Sequence, residues 1–218
     1  MTYNILRGGQ RGAPLDEVVR DVAPDVLLVN EAPKTPFLWR RQTASLAGRW
    51  GMRMVAGGRP AGANVILGAL HVEVLTTTER VLPAPIGQPR RGVATALLRI
   101  GGRDLRVVST HLPLSPAARL HQTAEVLALA TSYDDPVVVA GDLNECPSGA
   151  CWAMFTRAGF ADSADPRWLT FPSDAPSKRI DAVLVRGAHT LYAGRPDLPD
   201  DLLARASDHR PVLARLEL

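Results

Sequence analysis

The chain predicts an α/β fold, with two mixed β-sheets packed face to face and helices outside. Two patterns predict it. Helices and strands alternate at both ends of the 218-residue sequence, and the middle is a run of short strands joined by hairpin signals. In order, a strand over 2–6 is followed by a helix over 14–23 and an apolar strand over 25–30, then a helix over 36–48. Strands are expected at 52–56, 64–69, 71–76, 92–100 and 103–110. Gly101-Gly102 joins the last two as a two-residue hairpin, because glycine takes positive φ without a Cβ penalty. The Pro-rich segment Leu82–Pro89 reads as a loop and not a linker, since apolar strands continue on both sides. A helix over 116–131 opens with Ser115 as cap and Pro116 at its first position, where its missing N–H costs nothing. Leu120, Ala124, Leu127 and Ala128 recur there at helical spacing. A strand over 136–141, a helix near 148–158, and strands over 179–185 and 211–217 complete the chain.

Hydrophobic residues make up 46% and charged residues 22%, the balance of a soluble globular protein. The length suits one domain over 1–218. No apolar run approaches the roughly 20 residues that span a bilayer. Met1 stands directly before the first strand with no leader ahead of it, which predicts a cytoplasmic protein. The net charge is +3, carried almost wholly by arginine; Lys34 and Lys178 are the only lysines. These arginines scatter and form no basic run of the kind that marks a nucleic-acid tail.

Chemistry-bearing residues cluster at strand ends. The run Pro136–Ala140 ends in Gly141-Asp142-Leu143-Asn144. Asp142 and Asn144 stand two apart, on one side of the chain for as long as it stays extended. A carboxylate and a carboxamide aimed together suit a phosphate and its attacking water. Alone, Asp-x-Asn after a strand is also ordinary turn chemistry. Five further clusters shift the balance: Asn4 near the start, Glu31 after Val26–Asn30, His111 after Val107–Thr110, Arg179-Ile180-Asp181 before an apolar run, and Ser207-Asp208-His209 before the last strand. Six strand ends bearing such groups imply one cleft fed by many strands.

The ordered set Asn4, Glu31, His111, Asp142-x-Asn144, Arg179-x-Asp181 and Ser207-Asp208-His209 resembles the endonuclease/exonuclease/phosphatase superfamily over nearly the whole chain. That group includes the deoxyribonuclease I, abasic-site endonuclease, sphingomyelinase and inositol-polyphosphate 5-phosphatase families. The resemblance implies a four-layer α/β/β/α sandwich with the cleft where the two sheets meet. It also implies that Asn64, within Gly62–Leu67, lines that cleft. Two positions depart from the family pattern: Asn30 stands where Gln is usual, and Ala182 replaces a common aromatic.

The expected roles follow from resemblance and chemistry together. Mg²⁺, or Mn²⁺ in the same oxygen site, is held by Glu31, with Asn4 and Asp208 beside it. Asp142 orients or deprotonates the attacking water, and Asn144 holds a phosphate oxygen. His209 contacts the phosphate and is oriented by Asp181, while His111 is a phosphate contact or leaving-group acid. Arg179 shares a face with Asp181 and is a candidate substrate clamp. Trp168–Pro172 forms one lip of the cleft. The superfamily admits a disulfide near Cys146 and Cys151, but two cysteines without a leader predict free thiols, and no further ligands stand nearby for zinc.

A nuclease needs basic and aromatic loops to grip its substrate. Here the connections between motifs are short and aromatics make up only 5%. The expected function is therefore hydrolysis of a phosphoester on a small metabolite or lipid head group. A DNA endonuclease or exonuclease is the second reading, and a non-catalytic binding module on the same fold the third. Metal-dependent release of p-nitrophenol separates enzyme from binder, and plasmid nicking separates the two hydrolases.

Overall fold

The computed structural model describes residues 1–9, 12–84, 87 and 89–218. One sheet contains β1 (Thr2–Asn4), β2 (Val26–Asn30), β3 (Met52–Gly58) and β4 (Asn64–Ala69), in the order β1-β2-β4-β3. The other contains β5 (Glu73–Val81), β6 (Gly92–Ile100), β7 (Arg103–His111), β8 (Val137–Asp142), β9 (Ala161–Asp162) and β10 (Asp181–Arg186). Its order is β5-β6-β7-β8-β10-β9. A ribbon of β11 (His189–Gly194) and β12 (Leu213–Glu217) joins the first sheet through a bridge between Thr2 and Val212. Both sheets are mixed, as the sequence predicts.

The two-residue period of the strands builds the layers. On β7, β8 and β10, Val107, Val138 and Val183 belong to the core shared with the first sheet. Their neighbours Val108, Val139 and Leu184 face the other way and pack with Val126, Trp152 and Phe155 from the helices Pro116–Ala130 and Ala150–Arg157. The helix Ala13–Val22 buries Leu15, Val18 and Val19, and the helix Trp39–Arg49 buries Leu46 and Ala47, in the core that holds the first sheet. The result is the predicted four-layer arrangement. Trp39, Trp50, Trp152 and Trp168 are all buried, and Cys146 and Cys151 are free thiols. No helix among the described residues is long and apolar enough to cross a membrane.

Several elements differ from expectation. The first strand stops at Asn4 because Leu6, Arg7, Gly8 and Gly9 all take positive φ and form a left-handed turn. The ribbon strand β11 and the seven-residue helix Asp200–Ala206 were not predicted. The first four residues of β11 are exposed or half-buried, and a two-turn helix is too short to display a period. Of the Pro-rich loop, Leu82–Ala84 is irregular, and Pro85, Ile86 and Gln88 lie outside the described residues.

Gly141 carries the tightest steric demand near the cleft. Its φ is +148°, and a Cβ built there would lie 1.8 Å from Thr110 O and 3.0 Å from Asn30 Oδ1. We predict that Gly141→Ala destabilises the fold by about 3 kcal/mol or abolishes it. Urea unfolding checks this; a midpoint equal to wild type would show that β7 and β8 can separate without cost.

Candidate active site

Strand register assembles the site. Parallel pairing of β7 with β8 sets His111 opposite Asp142, and antiparallel pairing of β10 with β8 sets Asp181 opposite the same residue. Three candidates thus stand in one row across neighbouring strands. In the first sheet, parallel β1 and β2 set Asn4 opposite Asn30, directly before Glu31.

The side chains converge on Asp142, which is 2% exposed. Its Oδ2 accepts a hydrogen bond from Asn4 Nδ2 at 3.2 Å and lies 3.2 Å from His111 Nε2 and 3.8 Å from His209 Nε2. Its Oδ1 accepts the Asn144 N–H at 2.9 Å. On the far side of His209, Nδ1 meets Asp181 Oδ2 at 2.9 Å, and the Phe171 ring packs 4.8 Å from the imidazole. The Trp168–Pro172 segment therefore does border the site, through Phe171. Ser207 Oγ donates to Asn4 O, tying the Ser207–His209 segment to β1.

Charge distribution follows from burial and partners. Burial acts to raise the Asp142 carboxyl, but the charge and hydrogen bond of His111, the charge of His209 and the Asn144 N–H bring it to about 2. Burial acts to lower the His209 imidazole, yet Asp181, Asp142 and Asp208 raise it to about 9. The Asp181 carboxyl is raised by burial, with Asp142 adding to the rise and His209 opposing it. Asp142 is thus held ionised and His209 protonated.

Glu31 closes β2 with φ +56°. Its Oε2 accepts the Arg7 N–H at 3.0 Å, and its backbone carbonyl accepts the Gly8 N–H. Its Oε1 has no hydrogen bond among the described residues. Asp208 is half-buried and stands close enough to act on His209. Among the described residues, the one group of three acidic, His or Cys side chains close enough to share an ion is Asp142, Asp181 and His209, with ligand atoms within 4.8 Å of one another. Glu31 and Asp208 stand outside that group.

Three expectations are corrected. Arg179 does not face the cleft: its guanidinium pairs with Asp162 at 3.0 and 2.5 Å and lies over the Trp152 ring. β10 begins only at Asp181, so Arg179 precedes the strand. Asn64 does not line an open surface either. It is fully buried, its Oδ1 accepts from Asn30 Nδ2, and its Nδ2 donates to Gly92 O, each at 2.8 Å. Asn144 is not extended beside Asp142. It lies in a left-handed turn at φ +50° and donates from Nδ2 to Leu112 O, although it remains at the rim of the site.

Two residues were missed. Asn30 donates from Nδ2 to Thr110 O at 2.9 Å and accepts the Asp142 N–H on Oδ1 at 2.7 Å, so it fixes the backbone of the central carboxylate. Its only signal was its departure from the usual Gln. Arg91 is half-buried, held below the usual arginine range by desolvation against the pull of Asp142 and Glu31, so its guanidinium stands in the field of the site carboxylates. Its pairing with Arg90 was visible, but scattered arginines hid its importance.

Two facing sheets whose strand ends gather Asn, Glu, Asp and His over one cleft are the architecture of a known group of proteins. The chain belongs to the endonuclease/exonuclease/phosphatase family, whose pattern matches residues 1–209. No curated protein sequence matches it. Among solved structures, the mannosyl-6-phosphatase of Bacteroides thetaiotaomicron is similar at 16% identity and a TM-score of 0.80, over 100% of this chain and 98% of the other. An endonuclease/exonuclease/phosphatase protein of Bacteroides vulgatus is similar at 18% identity and 0.79, over 100% and 97%. The human Nocturnin catalytic domain with bound sulfate anion is similar at 14% identity and 0.75, over 99% and 92%.

The His209–Asp181 pair makes stability pH-dependent. Below about 6.5 folded and unfolded chains both hold the His209 proton and its contribution is complete; between 6.5 and about 9 only the folded chain does, so stability falls as pH rises. Asp142 acts in the other direction, its contribution present above 3.8 and lost as pH falls through about 2. In metal-free protein we expect wild type to lose stability from pH 6.5 to 9, and Asp181→Asn to flatten that loss. Urea midpoints across the range check it; equal slopes in the two proteins would refute the pairing.

Proposed function

We propose that the chain is a divalent-metal-dependent phosphoester hydrolase acting on a small phosphorylated metabolite or lipid head group. The observation that carries this reading is the convergence of Asn4, His111 and His209 on one oxygen of Asp142, with Asp181 behind His209. Two imidazoles and a carboxamide around an ionised carboxylate form a donor-rich cluster that suits a phosphoryl group and water.

The donor set fits a hard cation such as Mg²⁺ or Mn²⁺. Glu31 offers Oε1 without a hydrogen bond among the described residues. The ion is assigned to Glu31, with Asn4 and Asp208 beside it, because His209 Nδ1 already meets Asp181 Oδ2 at 2.9 Å and Asp142 Oδ2 already meets Asn4 and His111. When bound, the cation neutralises charge on the phosphoryl group.

The remaining work falls to the chain itself. His209, held protonated and oriented by Asp181, donates Nε2–H to a phosphate oxygen as charge builds there. Asp142, near a pKa of 2, is a weak proton acceptor, so it orients the attacking water. His111 holds a second phosphate oxygen or gives the leaving group its proton. Asn144 at the rim has a second amide hydrogen for the substrate. The short connections and the low aromatic content favour a small substrate over a duplex, and the likeness to a mannosyl-6-phosphatase points the same way.

Activity should vanish in excess EDTA and return with Mg²⁺ or Mn²⁺, and Glu31→Gln should need more metal to recover; full turnover after exhaustive chelation would sink the metal assignment. Asp142→Asn and His209→Ala should each lower kcat by about 10² or more while leaving far-UV circular dichroism unchanged. Wild-type kcat in either variant would contradict a shared cleft. Substrate size is tested by assaying supercoiled plasmid, an abasic duplex and a panel of phosphorylated metabolites and lipids side by side in Mg²⁺. We expect turnover on the panel and slow nicking; efficient DNA cleavage with a silent panel would establish the nuclease instead.

A further inference from the structure

Behind the cleft, the loop that follows His111 is tied to the loop that follows Asp142. The Leu112 N–H donates to Asp142 O at 2.9 Å, and Asn144 Nδ2 donates to Leu112 O at 2.8 Å. A further tie comes from the first turn of the helix Pro116–Ala130. Arg119 is 8% exposed, and its Nη1 donates to Pro113 O at 3.1 Å and to Leu114 O at 2.8 Å. Its Nε donates to Glu145 Oε1 at 3.2 Å. Glu145 directly follows Asn144 in the chain. Its Oε2 accepts the Cys151 N–H at 2.7 Å, and its backbone carbonyl accepts Trp152 Nε1 at 2.8 Å. One carboxylate thus joins the rim of the site to two helices.

Burial and the helix dipole both work against this pair. The Arg119 and Glu145 side chains are 9% and 14% exposed, so both charges have given up most of their hydration. Arg119 lies in a first turn that carries no acid, although the helix dipole favours an anion there. Gly149 makes room for the arrangement. Its φ of −81° suits any residue, yet a Cβ there would lie 2.2 Å from Glu145 Cδ. What the pair secures is Asn144, whose φ of +50° is a left-handed state that persists only where its surroundings hold it.

We propose that Arg119 and Glu145 are positioning residues of the cleft: their ion pair holds the Asn144 carboxamide where it meets the phosphoryl group. The inference rests on the phosphoester-hydrolase reading of the cleft. Neither side chain is hydrogen-bonded to His111, Asp142 or His209 among the described residues, so both act through Asn144. Arg119 fixes one side of this contact, since Pro113 and Leu114 follow the Leu112 carbonyl that anchors Asn144 Nδ2. Glu145 fixes the other side, through the backbone next to Asn144. A carboxamide that shifts by about 1 Å loses the alignment on which a transition-state contact depends.

Two perturbations test the pair. Arg119→Met/Glu145→Gln removes both charges together, so neither is left unpaired in the interior. Gly149→Ala keeps both charges and displaces the Glu145 carboxylate. Each is compared in Mg²⁺ with wild type, with Asn144→Ala and with its own combination with Asn144→Ala. On p-nitrophenyl phosphate and bis(p-nitrophenyl) phosphate, each perturbation should lower kcat about tenfold and leave KM within about twofold. In the Asn144→Ala background the same perturbation should lower kcat by less than about twofold, because its effect passes through a side chain already removed. Losses that multiply in the combined variants, or wild-type kcat in both perturbed proteins, overturn the positioning role and leave the hydrolase reading intact. Calorimetric titration with orthovanadate, whose five-coordinate form resembles the phosphoryl-transfer transition state, repeats the cycle without turnover. Its Kd should rise about tenfold in each perturbation and no further when Asn144→Ala is added, while the Kd of inorganic phosphate stays within about twofold. That pattern in a protein that hydrolyses neither ester supports the positioning role, and the hydrolase reading alone falls. Vanadate affinity equal to wild type in both perturbed proteins overturns it. A wild type that neither turns over an ester nor binds vanadate overturns both.

Discussion

The amide of Asn30 reaches from the first sheet into the second, where its Oδ1 accepts the Asp142 N–H and its Nδ2 donates to Thr110 O. The same Nδ2 donates to Asn64 Oδ1, and Asn64 Nδ2 continues to Gly92 O, so one chain of buried amides touches β2, β4, β6, β7 and β8. Each group is satisfied, which is what allows amides to remain in a core where an unpaired one costs about 1–3 kcal/mol. The absence of a Cβ at Gly141 gives Asn30 and Thr110 the room to approach. The cleft is therefore the place where two sheets are stitched together by polar groups, and the position of Asp142 is decided by that stitch.

Around it the molecule gathers features that cost stability. Asp142, Asp181, His111 and His209 are all buried, and buried charges are tolerated only with partners. Leu6, Arg7, Glu31 and Asn144 carry positive φ without being glycine, at about 1 kcal/mol or more each. These strained residues lie at the strand ends that meet in the cleft. The apolar layers above and below, with Val107, Val138 and Val183 on one face and Val108, Val139 and Leu184 on the other, supply the rigid frame against which such strain persists.

Much of this was legible in the residues. Strand period and the strand-end clusters announced two sheets and one cleft, since apolar alternation and Gly-Asp-x-Asn or Asp-His at an edge are local signals. The register that aligns His111, Asp142 and Asp181 is long-range, and no local pattern encodes it. Arg179 and Asn64 were misread for a related reason. Spacing shows which residues share a face while the chain is extended, but not where the strand begins or which buried acid or amide has already claimed the side chain. Asn30 looked like a small departure from a family pattern, and only its side chain's three hydrogen-bonded neighbours, Asn64, Thr110 and Asp142, reveal what it does. The left-handed turn beside Glu31 includes two residues that are not glycine, a conformation that Leu6 and Arg7 do not advertise.

We propose that metal and phosphate meet in the cleft set by Asn30 and Asp142. A crystal structure of the protein soaked with Mn²⁺ and inorganic phosphate, with anomalous scattering to locate the ion, tests it most directly. We predict an anomalous peak against the Glu31 carboxylate and a phosphate within hydrogen-bond reach of His111 and His209. An ion held by Asp142, Asp181 and His209 with the phosphate elsewhere, or an empty cleft at saturating concentrations of both, would contradict it.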